Sequence, residues 1–256
     1  MNEIFSFISH YIYVYIWVIF TTFINIIAPV SGSAVVTPVI AYATSPQRAV
    51  GIAAFLFFLS AIHRIHMFRK NILSEKKNID IIKHLLPFSI VGAVAGGFFV
   101  AYVNTKVLAI IIVVVSLYYI FRTLVVLYKK NNEQKKTNKY GGIFIGILSG
   151  FMQGSGMSGG DIRANYLRSI VSEVNVRAVS SVVGLVNFFI AGSILFLHNK
   201  LTRFDIIFVI SIFPFIILAQ LYGKKFLDKM KDRNAKILAI CLSIFGIVLL
   251  TYKYLL

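Results

Sequence analysis

Apolar residues fall in long runs along this chain, separated by short polar or basic stretches. Ten runs can be marked: 8–28, 33–43, 47–64, 87–103, 106–128, 140–152, 161–170, 174–197, 204–222 and 235–254. Several reach the roughly 20 residues that a spanning helix needs. The runs at 33–43 and 161–170 are short. At 1.5 Å rise per residue each covers roughly 15–17 Å, about half of a 30 Å hydrocarbon layer. These two are predicted to be broken or half-helices and the others transmembrane helices. The predicted class is therefore all-α, a polytopic integral membrane protein.

Composition agrees with the pattern. Of the 256 residues, 58% are hydrophobic and only 14% charged, and the mean hydropathy is +0.83. A soluble domain carries about a quarter charged residues. The first run has no basic stretch before it and no small-residue cleavage pattern, so it reads as a span rather than a signal peptide. Cys241 is the only cysteine. That excludes an intramolecular disulfide and a Cys-rich metal site, and Cys241 is expected to fill core space in the last span.

The net charge of +17 resembles a nucleic-acid signal, but its distribution argues otherwise. The basic residues gather in short loops at 64–83, 129–139, 170–177 and 224–236, where they act as topology determinants and contacts for anionic lipid headgroups. If both short runs count as crossings, all four basic loops face the cytoplasm and both termini lie outside. If neither counts, one strongly basic loop faces out. The first arrangement is preferred. It places five segments in each half and inverts the second half relative to the first. The expected organisation is an N-terminal repeat (1–128), a basic cytoplasmic linker (129–139) and a C-terminal repeat (140–256) in a cytoplasmic membrane. An internal repeat supports this: Arg48-Ala49-Val50-Gly51 matches Arg177-Ala178-Val179-Ser180, about half the chain away.

Candidate chemistry concentrates at 151–167, where Gly154, Gly156, Gly159 and Gly160 interrupt a helix and Asp161 and Arg163 place charge inside an apolar run. Irregular backbone in a bilayer must be buried in protein or line a cavity, and intramembrane charges are functional hypotheses by default. A glycine-rich turn that opens a helix aims free N–H groups and the positive end of the helix dipole at one point, which suits an anion. The matching segment in the first half contains Ser31, Gly32 and Ser33. Two inverted half-helices meeting start to start would make a small, donor-rich site. The expected substrate-binding residues are Ser31, Gly32, Ser33, Gly156, Gly159, Gly160, Arg163 and Asn165, with Asp161 as a proton-coupling group. The competing reading is that Asp161 and Arg163 snorkel to the cytoplasmic surface.

Other residues read as structural. Gly92, Gly96, Gly97, Gly141, Gly142 and Gly146 suit close helix packing. Arg48 and Arg177 begin spans and suit headgroup anchoring. Thr37 is placed to satisfy the carbonyl freed by Pro38. Asn187 and Gln220 suit interhelical hydrogen bonds or substrate contact. His63 and His66 have metal-pair spacing but no acidic or cysteine partner. No nucleotide, zinc-protease or Ser-His-Asp signature occurs, so no metal, no cofactor and no catalytic residue is expected.

The two motifs and the repeat resemble the sulfite exporter TauE/SafE family, also called the four-toluene-sulfonate uptake permeases. The first copy is Ser31-Gly32-Ser33-Ala34-Val35-Val36-Thr37-Pro38, followed by Ser45-Pro46-Gln47-Arg48-Ala49-Val50-Gly51. The second is Gly154-Ser155-Gly156-Met157-Ser158-Gly159-Gly160-Asp161, followed by Arg177-Ala178-Val179-Ser180-Ser181. The resemblance implies a permease for sulfite or an organosulfur oxyanion. The chain departs from the pattern at Val30, Ser31 and Ser33, where glycines are lost. It also departs at Asp161, Arg163 and Asn165, which occupy a usually apolar run. The expected function is a secondary transporter working by alternating access. Its partners are a small anion and membrane lipid, not nucleic acid, with homo-oligomerisation left open. The alternative is an intramembrane enzyme or lipid-handling protein using Asp161 and Arg163, which needs a His or a second carboxylate within hydrogen-bond reach of Asp161 and is favoured if His63 or His84 packs on it.

Overall fold

A computed structural model describes residues 2–27, 32–128, 139–157, 159–226 and 232–256. Within these residues the chain forms ten helices and no strand: α1 Asn2–Ile27, α2 Gly32–Ala43, α3 Pro46–Ser74, α4 Lys76–Tyr102, α5 Thr105–Tyr128, α6 Lys139–Gly154, α7 Gly159–Arg168, α8 Glu173–Leu197, α9 Arg203–Phe226 and α10 Asp232–Tyr254. Six of them, α3, α4, α5, α8, α9 and α10, are long and apolar enough to cross a membrane. The two short segments are present at 12 and 10 residues. The protein is an all-α, polytopic membrane protein.

One boundary differs from expectation. The basic stretch 64–83 is helical on both sides of Glu75. Hydropathy falls at the membrane edge, but a helix satisfies its own backbone and does not need apolar side chains to continue. α3, with 29 residues, is about 43 Å long at 1.5 Å per residue, more than the roughly 30 Å of a hydrocarbon layer.

The packing has a two-fold pattern. α4 lies on α6 as α9 lies on α1. α1 packs on α2, and α6 on α7. α2 packs on α3, and α7 on α8. α3 against α8, and α5 against α10, join the halves. The halves differ at their short helices. α2 also packs on α5 and α10, and Gly32 to Ala41 are all buried. The corresponding α7 packs mainly on α6 and α8, and only Gly159, Arg163 and Leu167 are buried.

Backbone approach holds α4 to α6. A Cβ on Gly92 would lie 2.1 Å from the Ile147 carbonyl oxygen, one on Gly96 2.3 Å from that of Phe151, and one on Gly150 2.1 Å from that of Ser89. These glycines therefore serve close packing, which in a membrane supplies much of the helix association. Gly96→Val is expected to lower stability by about 3 kcal/mol, at the upper end for overpacking. A thermal-unfolding midpoint unchanged from wild type in the same detergent would contradict the packing role.

Large apolar side chains such as Val91, Val114, Phe121, Ile210, Phe215 and Val248 point outward, as a lipid-facing surface requires. Cys241 is on this exposed surface rather than in the core. Nothing in its one-letter pattern distinguishes a lipid-facing from a helix-facing position. Thr37 also departs from expectation, since its hydroxyl is buried with no hydrogen-bond partner among the described residues.

Candidate functional site

α6 ends in a turn closed by its own backbone. The N–H of Gly156 donates to Gln153 O (3.1 Å) and that of Met157 to Met152 O (2.7 Å), the two bonds of a Schellman motif. Gly156 has φ +74°, a conformation that favours glycine, and a Cβ there would lie 2.6 Å from Val50 Cγ2 on α3. The chain restarts as α7 at Gly159, whose N–H donates to Met157 O at 2.9 Å. The first N–H groups of a helix have no internal acceptor, and α7 presents this end beside a cavity.

That cavity has a volume of about 140 Å³. Gly32 and Ser33 at the start of α2 line it, together with Gly160, Asp161, Arg163 and Arg168 of α7. α3 adds Phe57 and Arg64, α6 adds Gln153, and α8 adds Arg177, Ser180, Ser181, Gly184 and Phe188. The starts of the two short helices thus share one space. Among the described residues, four arginines and one aspartate line it. Arginines outnumber carboxylates among these lining residues, which suits an anion, the more so where the effective dielectric constant is below that of water.

Arg163 anchors the site. It is only 2% exposed, and it donates Nη1 to Gln153 Oε1 at 2.8 Å and Nη2 to the Ser180 carbonyl at 3.1 Å. Asn187 Nδ2 donates to the same Gln153 oxygen at 2.7 Å and to Ser89 Oγ at 2.6 Å. A guanidinium can only donate, so the carboxamide of Gln153 must turn its oxygen to Arg163. Its Nε2 then lies beside Gly160 and Gly184, 3.7 and 3.8 Å from where their Cβ atoms would stand, both on the cavity wall. Three donors on lining residues, Arg163 Nε, Arg64 Nε and Ser180 Oγ, are buried with no partner among the described residues. Buried donors are rarely left this way without a reason.

The chain matches the family model described as Sulfite exporter TauE/SafE over residues 14–250. It belongs to the sulfite exporter TauE/SafE family. The match covers nearly the whole chain, including both short helices and the linker between the halves, and it makes this TauE/SafE protein a membrane transporter. Comparison with curated proteins found no match, and comparison with solved structures found none.

The structure sorts the residues singled out in the sequence. Gly32, Ser33, Gly160, Asp161 and Arg163 meet at the cavity. Ser31 lies outside the described residues. Gly156 and Gly159 do not line the cavity, because their N–H groups serve the ends of α6 and α7 and a Cβ on Gly159 would lie 2.2 Å from Ser149 O. Asn165 is exposed and accepts from Arg168 Nη1 at 3.0 Å. Arg163 does not snorkel to a surface. Neither His63, which pairs with Gln220, nor His84, which pairs with the Asp80 carbonyl, lines the cavity.

Sequence reasoning missed Gln153, Arg64, Arg168, Arg177 and Ser180. Gln153 stands within the glycine-rich stretch, and Arg177 within the internal repeat, at the start of a span that suits a headgroup anchor. Arg48 has the same place in the repeat, but it pairs with Asp205 at 2.7 Å.

Proposed function

We propose that this TauE/SafE protein carries a small oxyanion, sulfite or an organosulfur anion, through the cavity between α2 and α7. One observation carries the reading: the starts of the two short helices open on a single space where, among the described residues, Arg64, Arg163, Arg168 and Arg177 stand with Asp161 as the lining carboxylate. The substrate-contacting groups are Gly32, Ser33, Gly160, Gln153 and Arg163, with Arg64 and Ser180 offering further donors. A guanidinium matches the planar edge of an oxyanion with paired donors. Asp161, the one carboxylate among the described lining residues, is the group that would exchange a proton during transport.

The two repeats, 1–128 and 140–256, take opposite orientations about the linker, with their basic ends on the cytoplasmic side and both termini outside. An inside-negative potential drives an anion outward with about 2.3 kcal/mol per charge per 100 mV. Purified protein in liposomes is expected to give saturable sulfite flux that related oxyanions inhibit. Flux no greater than that of protein-free liposomes across a panel of oxyanions would remove the proposal.

A further inference from the structure

A second cavity, of about 720 Å³, lies between α4, the start of α6 and Tyr166 of α7. It shares no lining residue with the first. Lys77, Asp80, Ile81, His84, Leu85 and Phe88 follow one another at helical spacing down a single face of α4. From Lys76 to Phe88 the groove runs about 18 Å along that helix at 1.5 Å per residue. Charged and titratable side chains end at His84, and Leu85, Phe88 and Ile143 follow. The apolar run of α4 begins at Pro87. The charged half therefore stands at the edge of the membrane and the rest lies in hydrocarbon.

The groove exists because α4 and α6 diverge. A Cβ on Gly150 would lie 2.1 Å from Ser89 O, and one on Gly146 3.2 Å from Leu85 O. By Gly142 the backbones have parted, and among the described residues only Tyr166 would lie within 4 Å, with Oη at 2.9 Å. The floor of the wedge is packed. Leu85 joins Leu167, Val176 and Val179 in a buried cluster, and Ile81 and Tyr166 lean on it. At the mouth, Lys76, Lys77, Asp80 and His84 are exposed. Lys77 Nζ donates to Ile170 O at 2.8 Å, which uses one of the three ammonium protons. His84 Nδ1 pairs with the Asp80 carbonyl at 2.8 Å. Among the described lining residues, two lysines stand with the single carboxylate of Asp80.

The structure assigns this groove to one anionic phospholipid, with its phosphate at Lys76 and Lys77 and an acyl chain along Leu85, Phe88 and Ile143. Lysines at a membrane edge are common, and so are apolar grooves. Here they join along one helix face at the depth where headgroup gives way to hydrocarbon, and that combination matches a single molecule. Basic pockets between spanning helices select anionic headgroups. A zwitterionic lipid would bring its own cation toward the lysines. α7 carries Arg163 to the first cavity and Tyr166 to the groove three residues later, so the lipid braces the broken helix. The assignment does not use the transport reading.

The test is native mass spectrometry of the purified, delipidated full chain in detergent, titrated with phosphatidylglycerol or with phosphatidylcholine of the same acyl chains. One phosphatidylglycerol should bind about tenfold more tightly than phosphatidylcholine. Lys76→Gln with Lys77→Gln should weaken it about thirtyfold, the combined weight of two lysines at an anionic lipid surface. Arg69→Gln with Lys70→Gln removes the same charge from exposed positions on α3 outside the groove and should leave binding unchanged. Ile143→Trp fills the wedge from an exposed position, keeps both lysines, and should weaken binding about tenfold. Equal losses in the two charge-removing variants would reduce the effect to general surface charge and overturn the site. Unchanged binding in Ile143→Trp would overturn the acyl seat, and full displacement by glycerol 3-phosphate would make this a phosphate site without a lipid. A dimer mass that excludes phosphatidylglycerol would give the groove to a second copy and also overturn the assignment. The expected pattern in a protein that moves no oxyanion would keep the lipid site and sink the transport proposal alone.

Discussion

Gln153→Glu is expected to abolish oxyanion binding while leaving the protein at least as stable as before. The substitution is nearly isosteric. Glutamate can still accept from Arg163 Nη1 and Asn187 Nδ2, which now reach Gln153 Oε1 at 2.8 and 2.7 Å, and both bonds become charge-assisted. The change falls on the cavity. The Nε2 donor near Gly160 and Gly184 becomes a carboxylate oxygen, and Arg163 is neutralised by a fixed partner. Two like charges about 4 Å apart repel by about 4 kcal/mol at an effective dielectric constant of 20. Affinity for a bound oxyanion should therefore fall at least about a hundredfold. Ligand-induced thermal stabilisation and proteoliposome flux both read this. Wild-type sulfite affinity in Gln153→Glu would place the substrate elsewhere.

Arg163→Ala should cost transport about as much and should also cost stability. Its guanidinium is buried and ties α7 to Gln153 of α6 and to the Ser180 carbonyl of α8. Removing one partner from a buried, charged hydrogen-bond network costs about 3–5 kcal/mol. Arg163→Lys separates charge from shape, because lysine keeps the charge but cannot offer two parallel donors. Flux should fall over a hundredfold in the alanine variant and about tenfold in the lysine variant, with the largest loss for planar or tetrahedral oxyanions. Wild-type rates from Arg163→Ala across such a panel would take Arg163 out of the substrate path.

Much of the site was legible because polar residues are costly in a hydrocarbon setting and so stand out. Arg163, Asp161 and the glycine cluster drew attention for that reason, and the two short segments followed from length alone. Gln153 was less visible, since one amide among glycines has no spacing that announces a role. Its importance comes from sitting between Arg163 and Asn187, which lie 10 and 34 positions away. Arg48 and Arg177 look alike in the repeat, yet Arg48 pairs with the buried Asp205 and Arg177 borders the cavity. The glycines were a mixed signal, because the same absence of a Cβ serves the packing of α4 on α6, the Gly156 turn and the cavity wall.

The sequence by itself determined an all-α membrane protein of ten apolar segments, two of them too short to cross alone, and among the described residues ten helices form. Apolar content and run length set the cost of leaving water, and neither depends on neighbours. Only the tertiary structure decided that the starts of α2 and α7 share a cavity and that four arginines converge on it. It alone paired Arg48 with Asp205. Those outcomes depend on which helix faces are turned toward one another, and in apolar helices that lack a marked polar side, backbone-close packing rather than a hydrophobic stripe makes that choice.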